Sequence, residues 1–458
     1  MFPRIAFAIL AICAFVDVAQ AQSKTWHAGV AKSVITPKVY MWMSGYSART
    51  KPAEGKVHDL WAKALALQDA DGQRSVLVTL DLIGIDRALS DAICADITKR
   101  HGVARERILL STSHTHCGPV VGHNLMTMYH LDAGEQKKVH DYAHFLHRTL
   151  VDLVGAALAD LKPAQVSQDQ GTTNFAVNRR NNKEADVPKL RDEQKLKGPV
   201  DHEVPVLRVR DPDGKVRAIV FGYACHATVL SFFQWCGDYP GFAQLELEKR
   251  HPGAVALFHA GCGGDQNPLP RRTVELAAQY GTQLADAVDQ VVKTPMKPLA
   301  PTSRAAYKRV DVSFGEMPTR EKLVVDTMST NKYIASRAKV LLAEFEKTGS
   351  LKQTYPYPVQ VWRLGDDLTW IALGGEVVVD YSVRLKKELG KVWVTAYAND
   401  VMAYIPSLRV LKEGGYEGES SMIYYGQPTI WSPRIEETII AAVHELVKTT
   451  KGAKDAKR

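Results

Sequence analysis

Two histidines two residues apart follow an apolar run and precede a Gly-Pro break. The stretch reads STSHTHCGP over residues 111–119, so His114 and His116 stand where a predicted strand ends. Alternate residues of a strand point to the same face. The pair is therefore suited to two metal ligands, or to one ligand and one acid/base group. Hydrogen-bonded packing would explain an isolated pair equally well, so its chemistry depends on which side chains join it.

Further ligand-type side chains follow apolar strands elsewhere in the chain. His226 ends the run VFGYACH, and Glu376 follows a strand and two glycines in ALGGE. Histidines and a carboxylate together are zinc ligands, and zinc lowers the pKa of bound water to about 7 and polarises a carbonyl. The sequence contains no His-Glu-x-x-His, Gly-x-Ser-x-Gly, Walker or Gly-x-Gly-x-x-Gly motif. These residues favour a zinc hydrolase.

Three stretches of the chain share one plan that would position these side chains. Each predicts a hairpin from its period-two pattern and turn residues, ending at Asp81, His226 or Glu376. A predicted helix follows (residues 87–100, 241–251 and 377–389), and then an apolar strand. We predict an α/β (mixed α+β) fold with mixed sheets, in which about three hairpin–helix–strand units form one continuous sheet system.

Strand ends in such folds converge at one edge of a sheet, where binding sites usually lie. The residues at the ends of the predicted strands, which we expect at this edge, are Asp81, His114, His116, His226, Asp265, Glu376 and Asn399.

A series of motifs, in order along the chain, resembles the neutral (non-lysosomal) ceramidases. It spans Gly29 to Gly426. The motifs are GVAKSVITP with MSGYSAR, STSHTHCGP, NRR, GYACHAT, GCGGDQNP, ALGGE and GGYEGESSMIYYG. The resemblance implies a ceramidase-like catalytic domain that hydrolyses an N-acyl amide, such as ceramide or a related N-acyl lipid, with zinc-activated water.

The resemblance also implies a role for individual residues. One zinc per chain would be held by His114, His226, Glu376 and Tyr416. His116 would assist proton transfer, and Arg179 matches the arginine of the family's Asn-Arg motif. Beyond the resemblance, we expect Arg179, Asn267 and either Tyr404 or Tyr424 to bind or orient the substrate. Behind them, Asp265 would support the ligands, and Asp81 would either orient a ligand histidine or cap its strand.

One motif departs from the family pattern at its catalytic serine. Where the family has Gly-Asp-x-Ser-Pro, this chain has Gly-Asp-Gln-Asn-Pro, which places Asn267 at the serine position. Asparagine cannot form an acyl-enzyme, but its amide can donate a hydrogen bond to an oxyanion. Two alternatives stay open: a zinc hydrolase of the same fold acting on an ester or a non-lipid amide, and a non-catalytic lipid-binding relative.

Composition and the two ends of the chain predict the class of protein, its localisation and its domain bounds. The 458 residues are 45% hydrophobic with a scattered net charge of +8, which gives no nucleic-acid-binding pattern. Residues 1–21 have the charged, apolar and Ala-x-Ala regions of a signal peptide, so we expect cleavage near Ala21 and a secreted or periplasmic protein. We expect one domain over 22–450 and a basic tail over 451–458 that favours peripheral contact with an anionic membrane.

Overall fold

The computed structural model describes residues 25–451. The predicted signal peptide at 1–21 lies outside the described residues, as does the basic tail after its first residue.

Strands and helices are interspersed along the described chain. The strands are β1 (Trp26–Val34), β2 (Gly55–Lys56), β3 (Trp61–Gln68), β4 (Arg74–Leu80), β5 (Ile108–Thr112), β6 (Lys162–Thr172), β7 (Ala176–Asn178), β8 (Glu203–Arg210), β9 (Val216–Tyr223), β10 (Gln234–Trp235), β11 (Val255–Ala260), β12 (Gln266–Pro268), β13 (Lys297–Pro298), β14 (Ser303–Ser313), β15 (Thr354–Leu364), β16 (Leu368–Leu373), β17 (Glu376–Val377), β18 (Val392–Thr395) and β19 (Tyr404–Ile405). The α-helices are α1 (Arg87–His101), α2 (Ala133–Ala159), α3 (Val187–Asp192), α4 (Asp238–Arg250), α5 (Val274–Val292), α6 (Arg320–Asp326), α7 (Lys332–Thr348), α8 (Val379–Leu389), α9 (Leu408–Glu413), α10 (Gly415–Gly418) and α11 (Ile435–Thr450).

The predicted hairpin–helix–strand unit occurs three times with the same pairing. In the first, β3 and β4 are antiparallel, α1 follows, and β5 pairs parallel with β4. In the second, β8, β9, α4 and β11 repeat this order and pairing. In the third, β15, β16, α8 and β18 do the same. The mixed α/β fold with mixed sheets is confirmed.

The expectation of one continuous sheet system is wrong, because the third unit lies in a different sheet. The first two units belong to a nine-stranded sheet of order β11-β9-β8-β6-β1-β3-β4-β5, with β13 beside β6. The third belongs to a four-stranded sheet of order β14-β15-β16-β18. An isolated bridge between Ser111 and Ala398 joins the two sheets near the strand ends.

The two sheets pack face to face and carry helices on their outer faces. One apolar cluster joins Leu65, Leu77 and Leu109 of the large sheet to Trp362 and Trp370 of the small one. Helices α2 and α5 cover the large sheet, and α11 covers the small one. The inner parts of both sheets are therefore buried on both faces, which explains why β4, β9, β11 and β16 are nearly continuous apolar runs.

Within residues 25–451, no helix combines the length and apolar character needed to cross a bilayer.

Candidate metal and catalytic site

His114 enters the site from a turn rather than from a strand. Strand β5 ends at Thr112, and His114 has a left-handed backbone with φ of 59°. The predicted reason for the His114–His116 pairing, a shared strand face, is therefore wrong. The two imidazoles nevertheless meet, with their Nε2 atoms 3.2 Å apart. Non-glycine residues seldom adopt this backbone conformation, and those that do are concentrated at functional sites.

His114 and His226 are oriented in the same way, by main-chain carbonyl groups. His114 Nδ1 lies 2.7 Å from the oxygen of Ile83, and His226 Nδ1 lies 2.6 Å from the oxygen of Gly263. A carbonyl can only accept, so each Nδ1 carries the proton and each Nε2 presents a lone pair. This is the tautomer that a metal ligand requires.

Glu376 and Tyr404 come side by side on a short parallel ribbon. Strands β17 and β19 pair with Glu376 opposite Tyr404. The Tyr404 hydroxyl lies 3.1 Å from His226 Nε2, and Tyr425 donates a short hydrogen bond to Glu376 Oε1. The carboxylate of Glu376 and the hydroxyl of Tyr404 thus lie on the side of the site that faces His114 and His226.

The donor atoms of His114, His226 and Glu376 converge in a way that suits a cation. Oε2 of Glu376 lies 3.0 Å from Nε2 of both histidines. Because all three atoms present lone pairs, such proximity is unfavourable unless a cation or a proton lies among them. The three side chains are almost fully buried. Nitrogen and carboxylate ligands of this kind fit zinc.

The ionisation states also suit metal binding. Burial, with the positive charge of Arg179, lowers the pKa of His226 to about 4. Burial opposes ionisation of Glu376, yet the interactions with His114 and His226 hold the pKa of its carboxyl well below its usual range. A neutral imidazole and an ionised carboxylate are the forms that coordinate metals.

His116 is the third imidazole of the cluster. Among the described residues, the ligand-type nitrogens of His114, His116 and His226 all lie within 4.8 Å of one another. Burial, with the neighbouring histidines, lowers the pKa of His116 well below its ordinary value. A neutral His116 is able to accept a proton, and it is also close enough to be a ligand.

The MSGYSAR segment holds His116 in place. Arg49 Nη2 donates to the His116 carbonyl at 2.7 Å, and the ring of Tyr46 lies 4.7 Å from the imidazole. Gly45 has φ of 98°, and a Cβ there would lie 2.4 Å from His116 Nδ1. Only glycine fits this close approach. Sequence reasoning quoted this motif without assigning Tyr46 or Arg49 to the site.

Arg179 connects the predicted substrate-binding residues to the cluster. Its guanidinium donates to Tyr404 at 3.1 Å, to Asn267 Oδ1 at 3.2 Å and to Glu417 at 2.7 Å. Thr228 also donates to Asn267 Oδ1, at 3.5 Å. The Asn267 oxygen is thus occupied, which leaves its NH₂ group as the donor for other partners.

Tyr416, the predicted fourth ligand, lies at the edge of the site and is less buried than the other three. Tyr416 is 41% exposed and contacts the site through its ring, whose centroid lies 5.3 Å from that of Tyr404. Within the described chain its hydroxyl makes no hydrogen bond to the histidines or Glu376, whereas that of Tyr404 does. Tyr424 packs on Tyr333 and Tyr416 instead of reaching the cluster. Its neighbour Tyr425 contacts Glu376 instead. The sequence of two adjacent tyrosines does not indicate which of the two rings faces the cluster.

Two predicted strand-end residues, Asp81 and Asn399, have structural partners. Asp81 accepts from Trp61 N at 3.0 Å and from Gln244 at 3.1 Å, so it caps its strand instead of orienting His114. Asn399 donates to Gln360 of β15 at 2.8 Å and accepts from Leu110 N of β5 at 3.4 Å, so it links these two strands.

Asp265 contacts residues that surround the site. Its side chain accepts from Asn178 at 2.9 Å and from Val379 N at 2.9 Å, and its carbonyl accepts from Arg179 N at 2.9 Å. It thereby joins the Arg179 turn to the start of α8.

A cavity of about 580 Å³ opens beside the cluster. Asn267, Arg179 and Tyr416 line it, and Arg179 contacts Tyr404, which lies beside His226, so the cavity adjoins the buried histidines. The remaining lining residues are Arg180, Asn182, Lys183, Glu184, Leu269, Arg271, Gly415 and Glu417.

A family profile and two curated proteins resemble this sequence. The profile of the family described as neutral/alkaline non-lysosomal ceramidase, N-terminal, matches residues 26–269. Neutral ceramidase A of Dictyostelium discoideum is 26% identical over 245 residues, which are 50% of this chain and 34% of that protein. Neutral ceramidase B of the same organism is 27% identical over 229 residues, 46% of this chain and 31% of that protein. The matched segment thus spans about a third of the length of these relatives.

Two solved structures share the fold over nearly the whole chain. A ceramidase complexed with C2 superposes with a TM-score of 0.70 and 19% identity, covering 92% of this chain and 76% of the other. The neutral ceramidase of Pseudomonas aeruginosa gives a TM-score of 0.69 and 19% identity, covering 92% and 75%. At this identity the likeness establishes the fold.

Proposed function

Because this chain belongs to the neutral/alkaline non-lysosomal ceramidase family, we propose that it is a zinc-dependent amidohydrolase that cleaves an N-acyl amide. The observation that carries the proposal is the convergence of lone pairs from His114, His226 and Glu376, with two contacts of 3.0 Å and both Nδ1 atoms committed to carbonyls. An arrangement of this kind is costly without a cation.

The fourth ligand in this proposal is Tyr404 rather than Tyr416. Tyr404 lies beside Glu376 on the β17–β19 ribbon, and its hydroxyl is 3.1 Å from His226 Nε2. Burial, with the negative charge of Glu376, raises the pKa of Tyr404, while the charge of Arg179 opposes that rise. A zinc ion held by the four residues would lower the pKa of a bound water to about 7 and polarise the substrate carbonyl.

The other residues of the site act on protons and on the substrate. His116 accepts a proton from the attacking water and passes it to the leaving amine, as a neutral imidazole can. Arg179 holds Asn267 so that its NH₂ group donates to the oxygen of the reacting carbonyl. Arg179 also fixes the hydroxyl of Tyr404, with a contact of 3.1 Å. Hydrolysis at this site needs no acylated side chain.

The experiment that tests the proposal combines metal analysis with turnover. Purified protein is assayed for bound zinc and for hydrolysis of ceramides, short N-acyl amides and esters, before and after chelation. We expect one zinc per chain and amide turnover that chelation abolishes and added zinc restores. Turnover that survives chelation would overturn the zinc mechanism. Zinc binding with ester turnover alone, or with no turnover, would identify an esterase or a non-catalytic relative instead.

We also propose that the chain is exported and is processed near Ala21. The support is the charged, apolar and Ala-x-Ala pattern of residues 1–21. N-terminal sequencing of protein recovered from the extracytoplasmic fraction tests this, and an intact N-terminus there would contradict it.

A further inference from the structure

The cavity beside the histidine cluster is lined mainly by charged and polar side chains. Of its lining residues, only Leu269 and the ring of Tyr416 are apolar. Pockets that accept apolar ligands are lined mainly by hydrophobic and aromatic side chains. A long acyl chain would find little favourable contact here, so the polar, amine-derived half of a substrate is the part that fits this cavity.

Cations outnumber carboxylates in the lining. Arg179, Arg180, Lys183 and Arg271 contribute four positive charges, and Glu184 and Glu417 contribute two negative charges. Glu413 also pairs with Arg180 from outside the lining, at 3.0 Å. One lining cation then remains without a carboxylate.

That cation is Lys183. It is exposed at the cavity, and no hydrogen bond or ion pair of its side chain occurs among residues 25–451. The loop that carries it is fixed, because the buried side chain of Asn182 donates to the carbonyls of Asn178 at 2.8 Å and Lys197 at 2.7 Å. A fixed loop that presents an unpaired ammonium group favours binding of an anion.

Arg271 adds a second donor on the same wall. Its Nε and Nη2 bind Glu184, at 3.0 and 2.8 Å, and its Nη1 has no hydrogen-bond partner within the described chain. Arginine N–H groups and a lysine ammonium are the usual donors to carboxylate and phosphate oxygens.

From these contacts we infer that the cavity binds an anionic group on the amine half of the substrate, and that the preferred substrate is an N-acylated amine bearing a carboxylate or a phosphate. This inference rests on the proposed amidohydrolase function. In the reaction the water oxygen bonds to the acyl carbon, the carbon–nitrogen bond breaks and the nitrogen takes up a proton. The products are a carboxylic acid and an anionic amine, such as an amino acid or a phosphorylated amino alcohol.

The test compares substrates that share one acyl chain. With zinc-loaded full-length protein, kcat/KM is measured for N-lauroylglycine, N-lauroyl-O-phosphoethanolamine, neutral N-lauroylethanolamine and N-lauroylsphingosine. We expect at least one anionic substrate to exceed both neutral ones by about tenfold or more, with a preference that weakens as salt rises. The first two substrates distinguish a carboxylate site from a phosphate site. Equal or faster turnover of the neutral substrates would overturn the inference and leave the amidohydrolase proposal intact.

A charge reversal locates the effect in the cavity. Lys183→Glu should lower the ratio of anionic to neutral kcat/KM by about tenfold, the scale of one hydrogen bond to a charged group. Lys215→Glu makes the same change in net charge at the exposed β8–β9 turn and should leave that ratio at the wild-type value. An unchanged ratio in Lys183→Glu would contradict the assignment of Lys183.

Failure of catalysis would still leave the inference testable. If no amide is cleaved, the amidohydrolase proposal fails, and calorimetric binding of N-lauroylglycine is compared with that of N-lauroylethanolamine. Tighter binding of the anion that Lys183→Glu abolishes would support the anion site. Equal affinities would overturn it.

Discussion

The nitrogen and oxygen sides of the proposed metal centre are held by different kinds of contact. His114 and His226 are oriented by the main-chain carbonyls of Ile83 and Gly263. The oxygen side is oriented by side chains, because Tyr425 donates to Glu376 and Arg179 donates to Tyr404.

This difference predicts unequal sensitivity to substitution. A carbonyl stays in place when a side chain changes, so the nitrogen side should fail only when a histidine itself is replaced. The oxygen side depends on phenol and guanidinium groups that a single substitution removes, so metal affinity should be adjustable there in smaller steps.

The largest effect is expected on the nitrogen side, in His114→Ala. Loss of this ligand should remove stoichiometric zinc and, with it, several kcal/mol of transition-state stabilisation, so kcat/KM should fall by roughly a thousandfold or more. Elemental analysis and amide hydrolysis measure both effects. His140→Ala, an exposed histidine on α2, is the control and should keep zinc and activity. Full zinc content in His114→Ala would exclude His114 as a ligand.

His116→Ala separates proton transfer from metal binding. We expect zinc to be retained and kcat to fall by about 10²–10⁴, the usual contribution of a general acid–base group. Because burial and the neighbouring histidines hold the pKa of His116 well below its ordinary value, the imidazole stays neutral as pH falls, and the acid limb of wild-type activity should lie below the range of an unperturbed histidine. Loss of zinc in this variant would make His116 a ligand instead.

Asn267 is connected to the oxygen side through Arg179, and its substitution tests the proposed hydrogen bond to the substrate carbonyl. Asn267→Ala should lower kcat by roughly ten- to a thousandfold, the range for losing one oxyanion donor. Asn267→Ser should retain activity or shift it toward ceramide-like amides. Mass spectrometry of wild-type protein during turnover should find no acylated form. A lower melting temperature with unchanged kcat would show that Asn267 only stabilises the turn before Pro268.

Tyr404→Phe and Tyr416→Phe distinguish the two candidate phenol ligands. Removing the proposed ligand hydroxyl, which lies 3.1 Å from His226, should weaken zinc binding by about 100-fold or more, at or above the upper end seen for groups that only support a ligand. The same change at the partly exposed Tyr416 should leave zinc affinity within about twofold. Competition with a chelating indicator measures the affinity. The reverse order of effects would restore Tyr416 as the ligand.

The smallest effect is expected at the adjacent tyrosines, in Tyr425→Phe. Its hydroxyl donates to Glu376 Oε1, so its loss should weaken zinc binding by about tenfold, the lower end for an outer partner. Tyr424→Phe is the matched control, because Tyr424 packs on Tyr333 and makes no contact with Glu376 in the described chain. Equal zinc affinities for the two variants would contradict the distinction between the two sides.

Much of the fold was accessible to prediction because it is local. Period-two patterns with Asp-Gly, Pro-Asp-Gly and Gly-Asp-Asp turns identified the three hairpins, and apolar strands after each helix completed the units. The sequence did not predict which of the three units share a sheet. Both sheets are apolar on both faces, so the pattern of the third unit did not reveal that it packs against the large sheet rather than extending it.

The sequence by itself determined which chemical groups are available. His114, His226 and Glu376 follow strands of analogous units, and strand ends bring such residues to a common edge. Tertiary structure alone decided how they meet. The left-handed turn at His114, the carbonyls that select the Nδ1 protons and the ribbon that puts Tyr404 beside Glu376 join segments far apart in the chain. No periodicity encodes these contacts, because they depend on loop conformations that long-range packing fixes.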